Sequence, residues 1–228
     1  MKKYVIISSN SNPDYEWYLP LVKWAWNKLG WEVVCLRPFK SDIYREETIT
    51  QCIRLYAAHL SLFNPEDMIM TSDADMVPLS DYWQPQPFNI TTYGHDLTGF
   101  KHVPICYIAM KARIWHEVMK LDQDIESDML RDLKDTQALS EIKHGDPGVG
   151  YWGTDQDIIT ERLKHHSFVN VHRGIEPGSP YPTGRVDRSA PNFMPSTLID
   201  YHGPRGPWNR IDKIREVIIK AFGECPPL

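Results

Sequence analysis

No apolar run in this sequence is long enough to cross a membrane, and the first, Tyr4 to Ile7, is too short even for the core of a secretory leader. The four cysteines, Cys35, Cys52, Cys106 and Cys225, form no C-x-x-C pair, so neither a disulfide framework nor a cysteine metal knuckle is indicated. Three of them fall inside apolar runs and read as reduced core residues. There is no basic excess: the formal net charge is -5, which argues against a nucleic-acid surface. There is no internal repeat and no low-complexity stretch. These absences leave a soluble protein of a reducing, cytoplasmic compartment, with no membrane span and no nucleic-acid partner, as the expectation.

What is present suits one globular domain of the larger kind: 228 residues, 42% hydrophobic and 24% charged, with 18 prolines and 8 tryptophans. Lys3 to Ser8 is a buried-type strand that ends in the polar loop Ser8-Ser9-Asn10-Ser11-Asn12-Pro13. Tyr15 to Leu29 carries apolar residues at helical spacing; Pro20 falls within that run, so the helix begins near it, with Pro20 in its first turn and Gly30 behind the last. Trp31 to Leu36 is a second strand, parallel to the first if the crossover is right-handed. Glu46 to Phe63 reads as a helix and Met68 to Thr71 as a third strand. This alternation predicts a doubly wound α/β sheet whose ligands sit beyond the carboxyl ends of the strands.

Beyond residue 80 the alternation weakens. Phe88 to Tyr93, Ile105 to Met110, Phe168 to Val171 and Leu198 to Tyr201 read as strands. Ile114 to Leu121, Asp128 to Leu139, Asp155 to His165 and Asn209 to Phe222 read as helices. Lys143 to Thr154 is loop-like, and the Pro- and Gly-rich stretch from Gly174 to Pro195 predicts an irregular surface excursion, mobile without ligand. Pro226-Pro227-Leu228 reads as the start of a linker to further domains.

Asp73 and Asp75 stand where the third strand should run out, with Pro78 ending it. Alternation puts residues i and i+2 on one face, and two like charges at that spacing favour a cation between them. A hard divalent ion with oxygen preference, Mg²⁺ or Mn²⁺, fits that donor pair. Three further features stand out: Arg54 within the otherwise apolar stretch Ile53-Arg54-Leu55-Tyr56; Gly153-Thr154-Asp155-Gln156-Asp157, where capping of a helix by Thr154 or Asp155 explains much of the pattern; and His202 directly behind a strand.

The segments IRLYAAHLSLFNPEDMIMTSDADMVPL, YWGTDQDIITERL and IDYHGPRGPW, in that order, resemble the GT-A fold glycosyltransferases, most closely the glycogenin and lipopolysaccharide galactosyltransferase type. The compact size and flanking sequence also resemble glycosyltransferases of large DNA viruses that infect algae, for which the compartment would be the host cytoplasm. The resemblance covers about residues 50–80 and 150–210. It implies a GT-A (Rossmann-like), mainly parallel sheet flanked by helices, and one domain over 1–228. About 1–110 would form the nucleotide-binding half, and about 111–228 the acceptor-binding half with the C-terminal metal-ligand segment.

The resemblance further implies a metal-dependent hexosyl- or pentosyltransferase that takes a nucleotide sugar, a UDP-sugar, and a glycan or glycoprotein acceptor. Asp73 and Asp75 match the two metal-binding acids and His202 the third ligand, and one imidazole among oxygens favours Mn²⁺ over Mg²⁺. Asp73, Arg54, Asp155 and Gln156 match donor-contacting positions, and Ser8, Asn10 and Tyr15 lie where uridine would be held. Arg205 stands one residue short of the family's Lys-Pro-Trp lysine, because Gly206 precedes Pro207. Asp155 or Asp157 is the carboxylate for acid–base work, with the stereochemical outcome open. A sugar-phosphate nucleotidyltransferase and a non-catalytic sugar-binding module are the alternatives. The first usually has a Gly-rich, basic loop behind its first strand, and the second leaves the acid pair idle.

Overall fold

The computed structural model describes residues 1–86, 89–94, 102–136, 153–178 and 180–228, with the backbone alone over 137–144. Nine strands occur among them: β1 (Lys3–Ser8), β2 (Glu32–Leu36), β3 (Met68–Thr71), β4 (Met76–Pro78), β5 (Ile90–Tyr93), β6 (Ile108–Lys111), β7 (Phe168–Val171), β8 (Arg185–Asp187) and β9 (Asp200–His202). The helices are α1 (Pro13–Glu16), α2 (Leu19–Lys28), α3 (Glu46–Ile53), α4 (Ala112–Met119), α5 (Ile125–His144), α6 (Thr154–Leu163) and α7 (Ile211–Phe222).

Six strands form a central sheet in the order β2-β1-β3-β6-β5-β7. β1 pairs in parallel with β2 and β3, and β5 with β7, while β6 runs antiparallel to both of its neighbours. The result is the mixed α/β fold the sequence predicts, a mainly parallel sheet flanked by helices. Alternation along β1 sends Tyr4 and Ile6 to one face and Val5 and Ile7 to the other. The first pair packs with α3, α4, α5 and α6, and the second with α2, α7 and the tryptophans Trp26, Trp31 and Trp83. Both faces are thus covered, which explains why β1 and β3 read as continuous apolar runs.

The helix α2 begins with Pro20 in its first turn, as the sequence predicts, and a short α1 precedes it. Other expectations change. The helix predicted over Glu46 to Phe63 is α-helical only to Ile53 and continues as a 3-10 segment, Arg54–His59. Pro78 does end a strand, but a separate one: after a turn at 73–75 the chain forms β4, which pairs antiparallel with β9 in a small sheet ordered β4-β9-β8. The predicted excursion from Gly174 to Pro195 contributes β8 to that sheet, and its base is fixed by Arg173, which donates to both carboxylate oxygens of Asp200. Only Cys52 is fully buried; Cys35 is exposed on β2, the edge strand. The predicted loop over 145–152 and the start of the Phe88 strand lie outside the described residues. Among the described residues no helix is long and apolar enough to cross a membrane.

Candidate active site

A cavity of about 560 Å³ opens at the carboxyl ends of β1 and β3, within the usual range for a small-molecule site. Its lining includes Ser8, Asn10, Tyr15, Arg54, Asp73, Asp75, Asp155, Gln156, His202 and Arg205. Every candidate residue from the sequence except Asp157 therefore faces one space, although they come from stretches far apart in the chain. Asp157, one turn into α6, pairs with His102 at 2.8 Å and is not among the lining residues.

The acid pair reaches the cavity by a route the sequence did not show. Strand alternation was expected to put both carboxylates on one face, but β3 ends at Thr71, and Asp73 and Asp75 sit in the turn before β4. His202 arrives by strand pairing, because Met76 is its partner across the β4–β9 ladder and Gly203 N–H donates to the Asp75 carbonyl at 2.8 Å. Gly203 is needed there: a Cβ would lie 2.3 Å from the ring of Tyr18, which is fully buried. Tyr18 in turn donates its hydroxyl to the Pro204 carbonyl at 2.8 Å, and the Gly206 amide donates to Asp14 at 2.9 Å. These bonds lash α1 and the start of α2 to the segment that carries His202 and Arg205.

Arg54, 6% exposed, lies under the acids. It donates to the Ser72 carbonyl at 2.9 Å, to Asp73, and to Asp155 at 2.7 Å. It is therefore a buried anchor and not the snorkelling surface arginine that its apolar context allows. One guanidinium serving two buried carboxylates divides them. Burial works against the charge of Asp73, but Arg54 outweighs it and holds that carboxyl below its usual range. Burial prevails at Asp155 and pushes it up, with the nearby Asp73 adding to the effect. The N-cap position of α6 is Gly153 at φ 124°, a backbone region open to glycine, while Asp155, inside the first turn, satisfies one of the first amides. Asp155 spends one oxygen on its neighbour's amide, Gln156 N–H, at 2.8 Å.

Ser8 is committed to structure, since its hydroxyl donates to the Thr50 carbonyl at 2.5 Å and holds β1 against α3. No sequence signal marks two further residues, Asp187 at the end of β8 and Arg188 directly behind it. Asp187 accepts from His202 Nδ1 at 3.0 Å, and Arg188 donates to Asp75 at 3.1 Å. Asp187 is held down at about 2: burial opposes its charge, but the bonds from His202 and from the Ser189 amide outweigh that. Asp14 and Glu47 also line the cavity; in sequence both look like ordinary first-turn helix acids.

Among the described residues, no three His, Cys, Asp or Glu side chains stand ready as metal ligands, because Asp73 is turned to Arg54 and Asp75 to Arg188. The donor chemistry nonetheless fits a divalent cation. A carboxylate can only accept, so in the neutral tautomer the His202 proton would sit on Nδ1 toward Asp187 and Nε2 would be the atom free to coordinate. That atom faces Asp75 Oδ2 at 3.7 Å, too long for a hydrogen bond. Burial also pushes the Asp75 carboxyl up, with His202 opposing and Asp73 adding to the rise. The five carboxylates and three arginines of the lining leave the wall two charges negative with neutral histidine.

No protein-family model matches this chain, and no curated protein sequence does. Solved structures of similar shape include the glycosyltransferase GlyE of Streptococcus pneumoniae TIGR4, at TM-score 0.43 and 11% identity over 75% of this chain. This chain spans 46% of the length of that one. A glycosyltransferase involved in glycosylation of the major capsid of PBCV-1 is similar at TM-score 0.44 and 9% identity, over 94% of this chain and 98% of that one. A mutant Drosophila beta-1,4-galactosyltransferase 7, in complex with manganese, UDP-Gal and xylobiose, is similar at TM-score 0.35 and 12% identity, over 59% and 62%. These likenesses are loose, and the functional reading rests on the cavity.

Proposed function

We propose that this chain is a metal-dependent glycosyltransferase of the GT-A type, which moves a sugar from a UDP-sugar to a hydroxyl of a glycan or glycoprotein acceptor. The observation that carries the reading is the meeting of Asp73, Asp75, His202, Arg54, Asp155, Gln156 and Arg205 in one cavity at the strand ends. A wall with this excess of carboxylates repels a nucleotide diphosphate unless a divalent cation enters with it. Asp75 and His202 would hold that ion, Mn²⁺ or Mg²⁺, with Asp73 joining once free of Arg54. When bound, it would offset the charge that grows on the diphosphate as the glycosidic bond breaks.

The protein's own groups supply the rest. Arg205, exposed at the rim with no ion pair among the described residues, is placed to meet phosphate oxygens. Asn10 and Tyr15 offer polar and aromatic surface to the nucleoside, and Gln156 faces the donor sugar. Asp155 lends negative charge beside an oxocarbenium-like centre. In an inverting transfer it is also the carboxylate placed to accept the acceptor's proton: each of its oxygens keeps a lone pair, and burial raises its affinity for a proton. Residues up to about 110 supply the first strand, its loop and the acid pair, but Asp155, Gln156, His202 and Arg205 come from the second half. The donor site therefore belongs to both halves.

A panel of nucleotide sugars incubated with Mn²⁺ and no acceptor tests the reading. Slow release of UDP from one UDP-sugar, stopped by EDTA, is the expected result. Pyrophosphate release from a nucleoside triphosphate and a sugar phosphate would instead identify a nucleotidyltransferase. Sugar binding without turnover of any donor would identify a binding module.

A further inference from the structure

Two consecutive residues from the end of β8 flank the proposed metal donors, one on each side. Asp187 holds the ring of His202, and Arg188 holds Asp75. The turn beneath them is fixed, because Asp187 accepts the Ser189 amide through its side chain at 2.9 Å and the Ala190 amide through its carbonyl at 3.0 Å. The base of Arg188 is thus stationary while its head reaches across to the acid turn. That head is part-exposed, 28%, against 6% for Arg54. Arg54 is locked by Ser72, Asp73 and Asp155, whereas Asp75 is the one ion-pair partner of Arg188 among the described residues.

Resting on the reading of the cavity as a metal and nucleotide site, we propose that Arg188 is an exchanging cation. Without ligand it neutralises Asp75; with ligand it gives Asp75 up to the metal and turns its guanidinium to the diphosphate of the donor. A divalent cation and a guanidinium compete for the same carboxylate, so Asp75 cannot serve both fully. The diphosphate brings new anionic oxygens into the same cavity, and the planar guanidinium fork suits them better than a point charge does. The exchange makes the ligand-free site resist bare metal and admit metal together with nucleotide.

This assignment predicts opposite signs for two affinities, which a merely structural arginine would not produce. Titrations of Mn²⁺ alone, and of UDP at saturating Mn²⁺, are run on the full chain as wild type, Arg188→Ala and Arg188→Lys. In Arg188→Ala, Mn²⁺ alone should bind about two- to fivefold tighter, the size of one part-exposed ion pair. UDP should bind about 10- to 100-fold weaker, the size of one lost charge-assisted contact. Arg188→Lys keeps the charge but not the fork, so Mn²⁺ should stay near wild type and UDP should weaken by several-fold. That variant carries the test alone if the alanine chain melts early. Both affinities moving the same way in Arg188→Ala, or UDP affinity unchanged in either variant, would overturn the exchange. A wild type that binds UDP equally with and without Mn²⁺ would overturn the underlying reading and the exchange with it.

Discussion

Gly203 donates its amide to the carbonyl of Asp75 at 2.8 Å, so the residue before it, His202, is set beside the acid turn by main-chain pairing. The histidine does not wait for a mobile tail to close; it is part of a small sheet. Because a Cβ at 203 would strike the buried Tyr18 ring, Gly203→Ala should cost about 1–3 kcal/mol. That is a fall in melting temperature of roughly 2–12 °C, and Mn²⁺ affinity should drop with it. An unchanged melting curve and unchanged metal binding would show that the two segments part easily.

Asp75→Asn removes the carboxylate that faces His202 while leaving a side chain of the same shape. Transfer should fall below detection with Mn²⁺ present, and circular dichroism should match wild type. A near-normal rate would remove Asp75 from the metal site.

Asp187→Ala leaves the His202 ring without its anchor. Loss of such an outer partner typically costs about 10- to 100-fold in metal affinity. Calorimetry of Mn²⁺ with UDP present measures it, and an unaltered affinity would show that strand pairing alone orients the ring.

Asp155→Asn should lower turnover about 10²–10⁴-fold, the usual size of a proton-transfer or charge-stabilising contribution. Single-turnover kinetics separate the roles: if UDP affinity collapses while bound donor turns over normally, Asp155 works through Arg54 in binding alone.

Asp200 contributes to the acid limit of stability. Burial alone would raise its carboxyl, but Arg173 and Arg185 outweigh burial and hold it well below its ordinary 3.8. A depressed carboxylate stabilises fully above its unfolded pKa, and that contribution is lost as pH falls through the range below. Wild-type melting temperature should therefore fall as pH drops below about 4, and Asp200→Asn should flatten that limb. At neutral pH the variant leaves the buried Arg173 and the half-buried Arg185 facing a neutral amide, at a cost of about 3–5 kcal/mol. Thermal melts from pH 7 to pH 2 check both; parallel curves would contradict the assignment.

The frame was legible in the sequence wherever one local signal decided it. β1, β3 and β7 fall where the apolar runs placed them, because a short buried strand carries its own pattern. The acid pair, Arg54, Asp155 and His202 were found through motif order and do line one cavity. The joining of β4, β8 and β9 was not legible, since three-residue strands have no measurable period and their pairing is long-range. Asp187 and Arg188 were hidden for the same reason: in a Pro- and Gly-rich stretch nothing marks an Asp-Arg pair as facing Asp75 and His202. Asp157 shared the motif of Asp155, but lies two residues further along α6, where the side chain turns to His102.

The central claim is that this cavity takes a divalent cation and a nucleotide diphosphate as one unit, and calorimetric titration of UDP in Mn²⁺ and in EDTA tests it most directly. The account predicts binding at least about tenfold tighter with Mn²⁺, a coupling of about 1.4 kcal/mol or more, and loss of that difference in Asp75→Asn. Equal affinity in both buffers, or no binding in either, would contradict it.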